Sequence, residues 1–159
     1  MAQLKTNAMR ILEKEKISYK VHEYPHGKDA VDGLSVASLL GQDPGAVFKT
    51  LVAEGASHEH YVFVVPVAHE LSLKKCAQAV GEKSVSMIHV KDLLKITGYV
   101  RGGCSPVGMK KAYRTTFHQT ALQCDTIMVS AGKIGWQIEL SPHDLLRITN
   151  AQTADIIQD

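Results

Sequence analysis

The chain has 159 residues, of which 45% are hydrophobic and 21% are charged. This size and balance fit one compact domain that buries its core without disulfides or structural metal. The three cysteines form no C-x-x-C pair, which favours reduced thiols in a cytoplasmic protein over a secreted disulfide framework. The N-terminus has no signal-peptide pattern and the longest apolar run, Tyr61 to Ala68, is too short for a membrane span. Membrane and exported proteins are therefore excluded from the expected classes.

The formal net charge of the chain is only +2. A polyanionic partner would therefore have to be bound by a local basic patch and not by the field of the whole molecule. Candidate patches occur at Lys74-Lys75 and Lys110-Lys111. Each pair alone is more typical of a solvated face than of a binding site.

The hydrophobic pattern predicts helices and strands that alternate along the chain. The first half predicts a capped amphipathic helix beginning at Asn7, a half-buried strand from Ile17 to Val21 that ends near Pro25, a helix from Ser35 to Leu40, and strands at Val47–Val52 and Tyr61–Val67. Because a short polar turn joins the last two strands, we expect a hairpin.

The second half continues this alternation. It predicts a helix capped by Ser72 and ended by Gly81, a strand from Val85 to Ile88, a short helix that ends at Gly98, strands at Thr126–Ser130 and Gly135–Leu140, and a C-terminal helix opened by Ser141-Pro142. The order predicts a single α/β or α+β domain over residues 1–159. We expect the strands at Lys49, Val64, Met128 and Ile138 to form one mixed sheet.

Residues 22 to 26 match the letters of the zinc-protease motif H-E-x-x-H. That motif requires a helix, but Pro25 would interrupt it and the preceding residues alternate like a strand. The other histidines show no ligand spacing. No metal and no cofactor are therefore expected.

Lys49 lies among apolar residues in a predicted strand, on the same side as Val47 and Leu51. It either faces water as a gatekeeper or enters an apolar site, where it would need a ligand. The segment Gly98 to Gly108 contains four glycines and a proline, a composition that lets backbone N–H groups approach a ligand. Cys104 in this loop has no neighbouring base, which favours an inert thiol over a nucleophile.

Three blocks in this order resemble the YbaK/EbsC family, free-standing relatives of the prolyl-tRNA synthetase editing domain. They are Val47-Phe48-Lys49-Thr50-Leu51, the glycine-rich stretch Gly98 to Gly108, and Ser130-Ala131-Gly132-Lys133 with Ile138-Glu139-Leu140. The resemblance covers nearly the whole chain. It implies a mixed, mostly antiparallel sheet or partial barrel flanked by short helices, and an enzyme that deacylates mischarged tRNA, chiefly Cys-tRNA(Pro), in trans. The implied partners are mischarged tRNA and prolyl-tRNA synthetase in a transient complex, with neither membrane nor DNA.

The resemblance implies that Lys49 is the residue on which activity depends. The substrate-binding positions that it implies are Tyr24, Thr50, Gly102, Gly103, Ser105, Ser130, Gly132 and Gln137. Gln137 departs from the family pattern, since some members carry an aspartate there, and Ile134 replaces a common basic residue.

In Cys-specific relatives the thiol of the substrate attacks its own ester carbonyl and releases a thiolactone, so the protein supplies orientation and oxyanion donors. Two alternatives remain open at this point. One is a water-mediated hydrolase for alanine or serine on tRNA, and the other is a binding module that holds a nucleotide or RNA without turnover.

Overall fold

The computed structural model describes residues 5–25 and 32–159. Within them, five α-helices of eight residues each are packed against two β-sheets. The helices are α1 (Asn7–Lys14), α2 (Gly33–Leu40), α3 (Leu73–Val80), α4 (Val90–Thr97) and α5 (Pro142–Thr149). The strands are β1 (Lys20–Glu23), β2 (Phe48–Gly55), β3 (His60–Pro66), β4 (Val85–Met87), β5 (Arg114–His118), β6 (Ile127–Lys133), β7 (Trp136–Leu140) and β8 (Gln152–Ala154).

The helix boundaries follow local capping chemistry. The side chains of Asp32 and Ser72 accept hydrogen bonds from the backbone of the first turns of α2 and α3. Both α3 and α4 end at a glycine in the left-handed conformation, as the sequence predicts. The cap of α1 is Thr6 and not Asn7, whose side chain instead donates to the carbonyl of Gly108.

The expectation of a single sheet is wrong. One sheet has the strand order β1-β7-β6 and is antiparallel, and the other has the order β4-β2-β3-β5-β8 with two parallel pairs. An isolated parallel bridge between Val47 and Met128 joins the two sheets where β2 begins. The predicted hairpin of β2 and β3 is confirmed by seven antiparallel residue pairs, and the α+β class with mixed sheets is confirmed, without a closed barrel.

The main core lies between the two sheets. Phe48, Val52 and Val64 of the larger sheet pack against Val129 and Ile138 of the smaller one, and α1 covers one end of this layer. A second cluster lies on the other face of the larger sheet, beneath α3. Because side chains alternate across a strand, consecutive residues of β2 contribute to different layers.

Two strands were absent from the sequence-based expectation. β5 has no clear alternation because four of its five residues are buried, and β8 is a polar three-residue segment that pairs only with β5. Both depend on distant partners that local periodicity does not reveal. No helix in residues 5–25 and 32–159 has the length and apolar character to cross a membrane.

Candidate active site

A cavity of about 770 Å³ opens beside β2. Its floor is built from Phe48 to Val52, one wall from Val129 and Ser130 of β6 with Trp136 and Gln137 of β7, and the other from α4 and the loop that follows it. Six of the nine residues predicted for the site line this cavity: Tyr24, Lys49, Thr50, Gly102, Ser130 and Gln137. The fold thus brings together residues that are more than 100 positions apart in sequence.

The cavity exists because β2 is only partly covered on its outer edge. The N–H of Val67 donates to Val47 and that of Gly55 donates to Glu59, so odd-numbered residues of β2 direct their backbone groups toward β3. Even-numbered residues direct theirs to the opposite edge. There, β4 pairs only with residues 53 to 55. The edge beside Thr50 is left open to the cavity.

Thr50 consequently lies with its polar groups at this open edge. Its register pairs it with Val64 of β3, and the alternation directs its backbone N–H and C=O away from β3, beyond the residues that β4 pairs with. Its hydroxyl oxygen is buried and has no partner among the described residues. A buried polar group without a partner costs about 1–3 kcal/mol, so this arrangement is most easily explained by a ligand that supplies the missing bonds.

Lys49 is half-buried at the same edge. No ion pair to its ammonium group is found within residues 5–25 and 32–159, although Asp32 and Glu70 also line the cavity. The ammonium group is therefore available to a ligand. A positive charge at this place favours phosphate, ribose or carbonyl oxygens.

Ser130 and Gln137 form a cross-strand pair of β6 and β7 on the cavity wall. The amide oxygen of Gln137 accepts a hydrogen bond from Nε2 of Gln42 at 2.8 Å. The Gln137 amide nitrogen has no partner among the described residues and is the group left to face a ligand. No local pattern in the sequence indicates Gln42, because its contact with Gln137 spans 95 positions.

Gly102 lines the cavity, and its backbone has φ +84°, a conformation that favours glycine. Gly103 lies behind it: its N–H donates to Val100, and an added Cβ would lie 3.0 Å from the nitrogen of Ile134. The loop therefore packs directly against the β6–β7 turn. The amides of Gly102 and Cys104, which both line the cavity, have no partners among the described residues.

Ser105 and Gly132 also lie outside the cavity lining. Ser105 is fully buried and its hydroxyl accepts from the N–H of Val107 at 3.2 Å. Gly132 packs against the ring of Tyr99, where an added Cβ would lie 2.9 Å from a ring carbon. These two residues hold the shape of the loops around the cavity.

Cys104 contributes to the cavity wall, but its thiol is buried, and this burial raises its pKa to about 11. It is therefore protonated at neutral pH and a poor nucleophile. Within the described residues, no three histidine, cysteine or acidic side chains are grouped to hold a metal ion. In the H-E-x-x-H stretch, His22 belongs to strand β1 and bonds Glu139 at 2.7 Å, whereas His26 lies outside the described residues.

Comparison with known proteins assigns the family. A family model for the aminoacyl-tRNA editing domain matches residues 28–148. The chain belongs to this family. It is 50% identical over 154 residues to EbsC of Enterococcus faecalis (strain ATCC 700802 / V583), a candidate Cys-tRNA(Pro)/Cys-tRNA(Cys) deacylase, with 97% of this chain and 94% of EbsC covered.

Solved structures agree with this assignment. The editing domain matches a candidate trans-editing enzyme for prolyl-tRNA synthetase with 25% identity and a TM-score of 0.83, over 99% of this chain and 100% of the other. A hypothetical protein with 19% identity and a TM-score of 0.86, over 96% and 100% of the two chains, shares the fold. The resemblance seen in the sequence is confirmed, and the protein is an aminoacyl-tRNA deacylase that edits mischarged tRNA in trans.

Proposed function

We propose that this editing domain removes cysteine from mischarged tRNA(Pro), and also from tRNA(Cys), with the aminoacyl ester bound in the cavity beside β2. The observation that carries the proposal is a cavity in which the described residues supply hydrogen-bond donors and an ammonium group without an ion pair, while the thiol in its wall, that of Cys104, is protonated. The nucleophile then comes from the substrate. The name of EbsC, half of whose aligned residues are identical here, supports cysteine as the amino acid.

In this proposal Lys49 binds an oxygen of the terminal nucleotide. Thr50 forms hydrogen bonds to the aminoacyl end of the substrate through its hydroxyl and through its backbone groups at the open edge. The amides of Gly102 and Cys104 are the oxyanion donors, each worth roughly 10²–10³ in rate. Ser130 and Gln137 contact the side chain of the substrate from the opposite wall of the cavity, and Tyr24 lies at the cavity entrance. Gly103, Ser105 and Gly132 act indirectly, because they hold the loops in place.

The proposed reaction begins when the thiol of the bound cysteine loses its proton. Its sulfur forms a bond to the ester carbonyl carbon, and the carbonyl oxygen takes the negative charge. When this intermediate collapses, the bond to the ribose oxygen breaks and that oxygen takes up a proton. The products are free tRNA and a four-membered thiolactone, which water opens to cysteine. Ring closure is favourable only if the cavity orients the side chain over the carbonyl.

The test is a panel of tRNA(Pro) and tRNA(Cys) charged with cysteine, S-methylcysteine, serine or alanine. We expect rapid deacylation of the cysteinyl ester and far slower loss of the other three amino acids. Alanine and S-methylcysteine have no free thiol, and the hydroxyl of serine is scarcely ionised at neutral pH. Similar rates on cysteine and serine would contradict a substrate thiol and favour attack by water. Binding without turnover on every ester would favour a non-catalytic RNA-binding module.

We also propose that the enzyme works in a transient complex with prolyl-tRNA synthetase. Support comes from the structural relative described as a trans-editing enzyme for that synthetase. Adding the synthetase should lower the KM for Cys-tRNA(Pro) without changing kcat. An unchanged KM would contradict a complex on the reaction path.

A further inference from the structure

The charge of this chain is unevenly distributed. Residues 89 to 111 contain five basic side chains and one acidic one, Asp92. The remainder holds the other 13 basic and 15 acidic residues and is thus slightly negative. The net charge of +2 is therefore the sum of a basic segment and a remainder with a net charge of −2.

The five basic side chains of this segment are all exposed, and one contact joins its two parts. We call them the basic face: Lys91, Lys95, Arg101, Lys110 and Lys111. Lys91 and Lys95 are one turn apart on α4 and so project from one side of the helix. The ammonium group of Lys110 donates to the carbonyl of Lys95 at 3.3 Å, which brings the later segment beside the end of α4.

The basic face adjoins the cavity at Arg101, which belongs to both. Val90 and Leu93 of α4 line the cavity, and so do Arg101 and Gly102 of the loop that follows. The acidic residues that line the cavity, Asp32 and Glu70, belong to other segments. A polynucleotide whose end is bound in the cavity is therefore attracted toward α4 and repelled by the acidic residues.

We propose that the basic face is the docking surface for the acceptor stem of the tRNA, with its lysines and Arg101 against the phosphates. This deepens the proposed function, since the aminoacyl ester lies in the adjacent cavity while the helical stem remains outside. Phosphate contacts position a nucleic acid without reading its sequence. The exposed apolar side chains of Met87 and Val90, at the same rim, are placed to contact the unpaired end of the strand.

Lys75, of the basic pair Lys74-Lys75, has a different role from the basic face. Its ammonium group is bound by Asp155, Asp159 and the carbonyl of Ile157, so its charge is already neutralised. The basic residues at 91, 95 and 111 make no ion pair among the described residues. They are therefore available to phosphates.

The test uses two triple variants that each lose three positive charges. The first is Lys91→Gln with Lys95→Gln and Lys111→Gln. The control is Lys14→Gln with Lys74→Gln and Lys83→Gln, three exposed lysines outside the basic face and the cavity lining. Deacylation of Cys-tRNA(Pro) is measured between about 50 and 200 mM salt, the range over which phosphate contacts change affinity most clearly.

We expect the basic-face variant to raise the KM about 10-fold, leave kcat unchanged, and reduce the slope of log KM against log salt by about two to three. A cysteinyl ester on a trinucleotide that lacks the stem should be cleaved by this variant at the wild-type rate. A KM and salt slope equal to those of the control variant would overturn the proposal.

A binding titration with uncharged tRNA separates this proposal from the proposed function. If the wild-type protein cleaves none of the esters, the function fails, but the docking surface is still judged by affinity. Weaker binding by the basic-face variant than by the control supports the surface. Equal affinity of the two variants overturns it.

Discussion

Two regions of the five-stranded sheet treat their polar groups in opposite ways: the β8 end, and the part of β2 that β4 leaves uncovered. At the β8 end, Lys75 binds three acceptors in the C-terminal segment, and His118 accepts from the N–H of Ile156. At the uncovered part of β2, Lys49 has no ion pair and the Thr50 hydroxyl has no hydrogen-bond partner among the described residues. Each region contains a lysine, but only Lys75 is bound by groups of the described chain.

This difference separates structural polar groups from functional ones. A satisfied network stabilises the fold, whereas unsatisfied buried groups cost stability that must be offset elsewhere in the molecule. The C-terminal tail bonds to the backbone of residues 70 to 72 and to the ammonium group of Lys75, so its polar groups are satisfied by the chain itself. The open edge of β2 lies in the cavity, where the proposed function places the substrate.

The largest expected effect comes from Lys49→Ala. Because the charge has no protein partner among the described residues, we expect kcat/KM for Cys-tRNA(Pro) to fall about 10²–10³-fold, the loss typical of one electrostatic contact to a reacting group. The free energy of unfolding should change by less than about 0.5 kcal/mol. Steady-state kinetics and chemical denaturation check both values.

Lys75→Ala is the matched control for that change. It removes an ammonium group with three partners in the C-terminal segment, so we expect a lower Tm and unchanged kcat/KM. The comparison fails if Lys49→Ala lowers the Tm as much as Lys75→Ala does, because Lys49 would then be part of a structural ion pair.

A smaller effect is expected for Thr50→Val, which keeps the volume and removes the unpartnered hydroxyl. We expect about a 10-fold lower kcat/KM, because a hydrogen bond to the substrate is lost. Stability should be unchanged or higher, since no satisfied group is removed. Urea denaturation alongside the kinetic assay measures the two effects separately.

Thr116 offers the matched comparison in the same sheet. It is fully buried and its hydroxyl accepts from the Gln152 side chain at 3.0 Å. Thr116→Val should therefore cost about 1 kcal/mol of stability and leave catalysis unchanged. If both valine variants lose stability equally, the hydroxyl of Thr50 is a structural group.

The sequence predicted much of the cavity because its residues lie in local patterns. The run around Lys49 alternates like a strand, and the four glycines after α4 indicate a close backbone approach. Period two also placed Lys49 on the same side as Leu51, although it could not decide between solvent and a site. The family resemblance supplied that decision.

The β8 end could not be predicted in the same way. Gln152 to Ala154 is a strand only because β5 offers it a parallel partner, and β5 itself is buried without alternation. The division into two sheets also escaped prediction, since it depends on where β2 separates from β6 after the bridge at Val47. Such pairings are decided by tertiary contacts and not by local propensity.

A pH titration should weaken the β8 end first. Burial lowers the pKa of His118 although Asp155 partly opposes this, so the folded state resists protonation of the imidazole. Below about pH 6.5, the unfolded chain binds the proton more readily, and stability falls as the pH falls. Between pH 7 and pH 5 the Tm should therefore drop more in the wild type than in His118→Asn. Equal drops in both proteins would assign the acid sensitivity to other groups.

The smallest effect on activity is expected when either of two buried thiols is removed, Cys104 in the cavity wall or Cys76 in α3. Burial raises the pKa of Cys104 in the cavity wall to about 11 and that of Cys76 beneath the larger sheet to about 12. At pH 7 only about one Cys104 side chain in 10⁴ is a thiolate, too few for a catalytic nucleophile. Cys104→Ala keeps the backbone amide of this residue, so its kcat/KM should stay within about twofold of wild type, as should that of Cys76→Ala. A large loss in Cys104→Ala, with normal activity in Cys76→Ala and normal folding in both, would show that the protein and not the substrate supplies the sulfur.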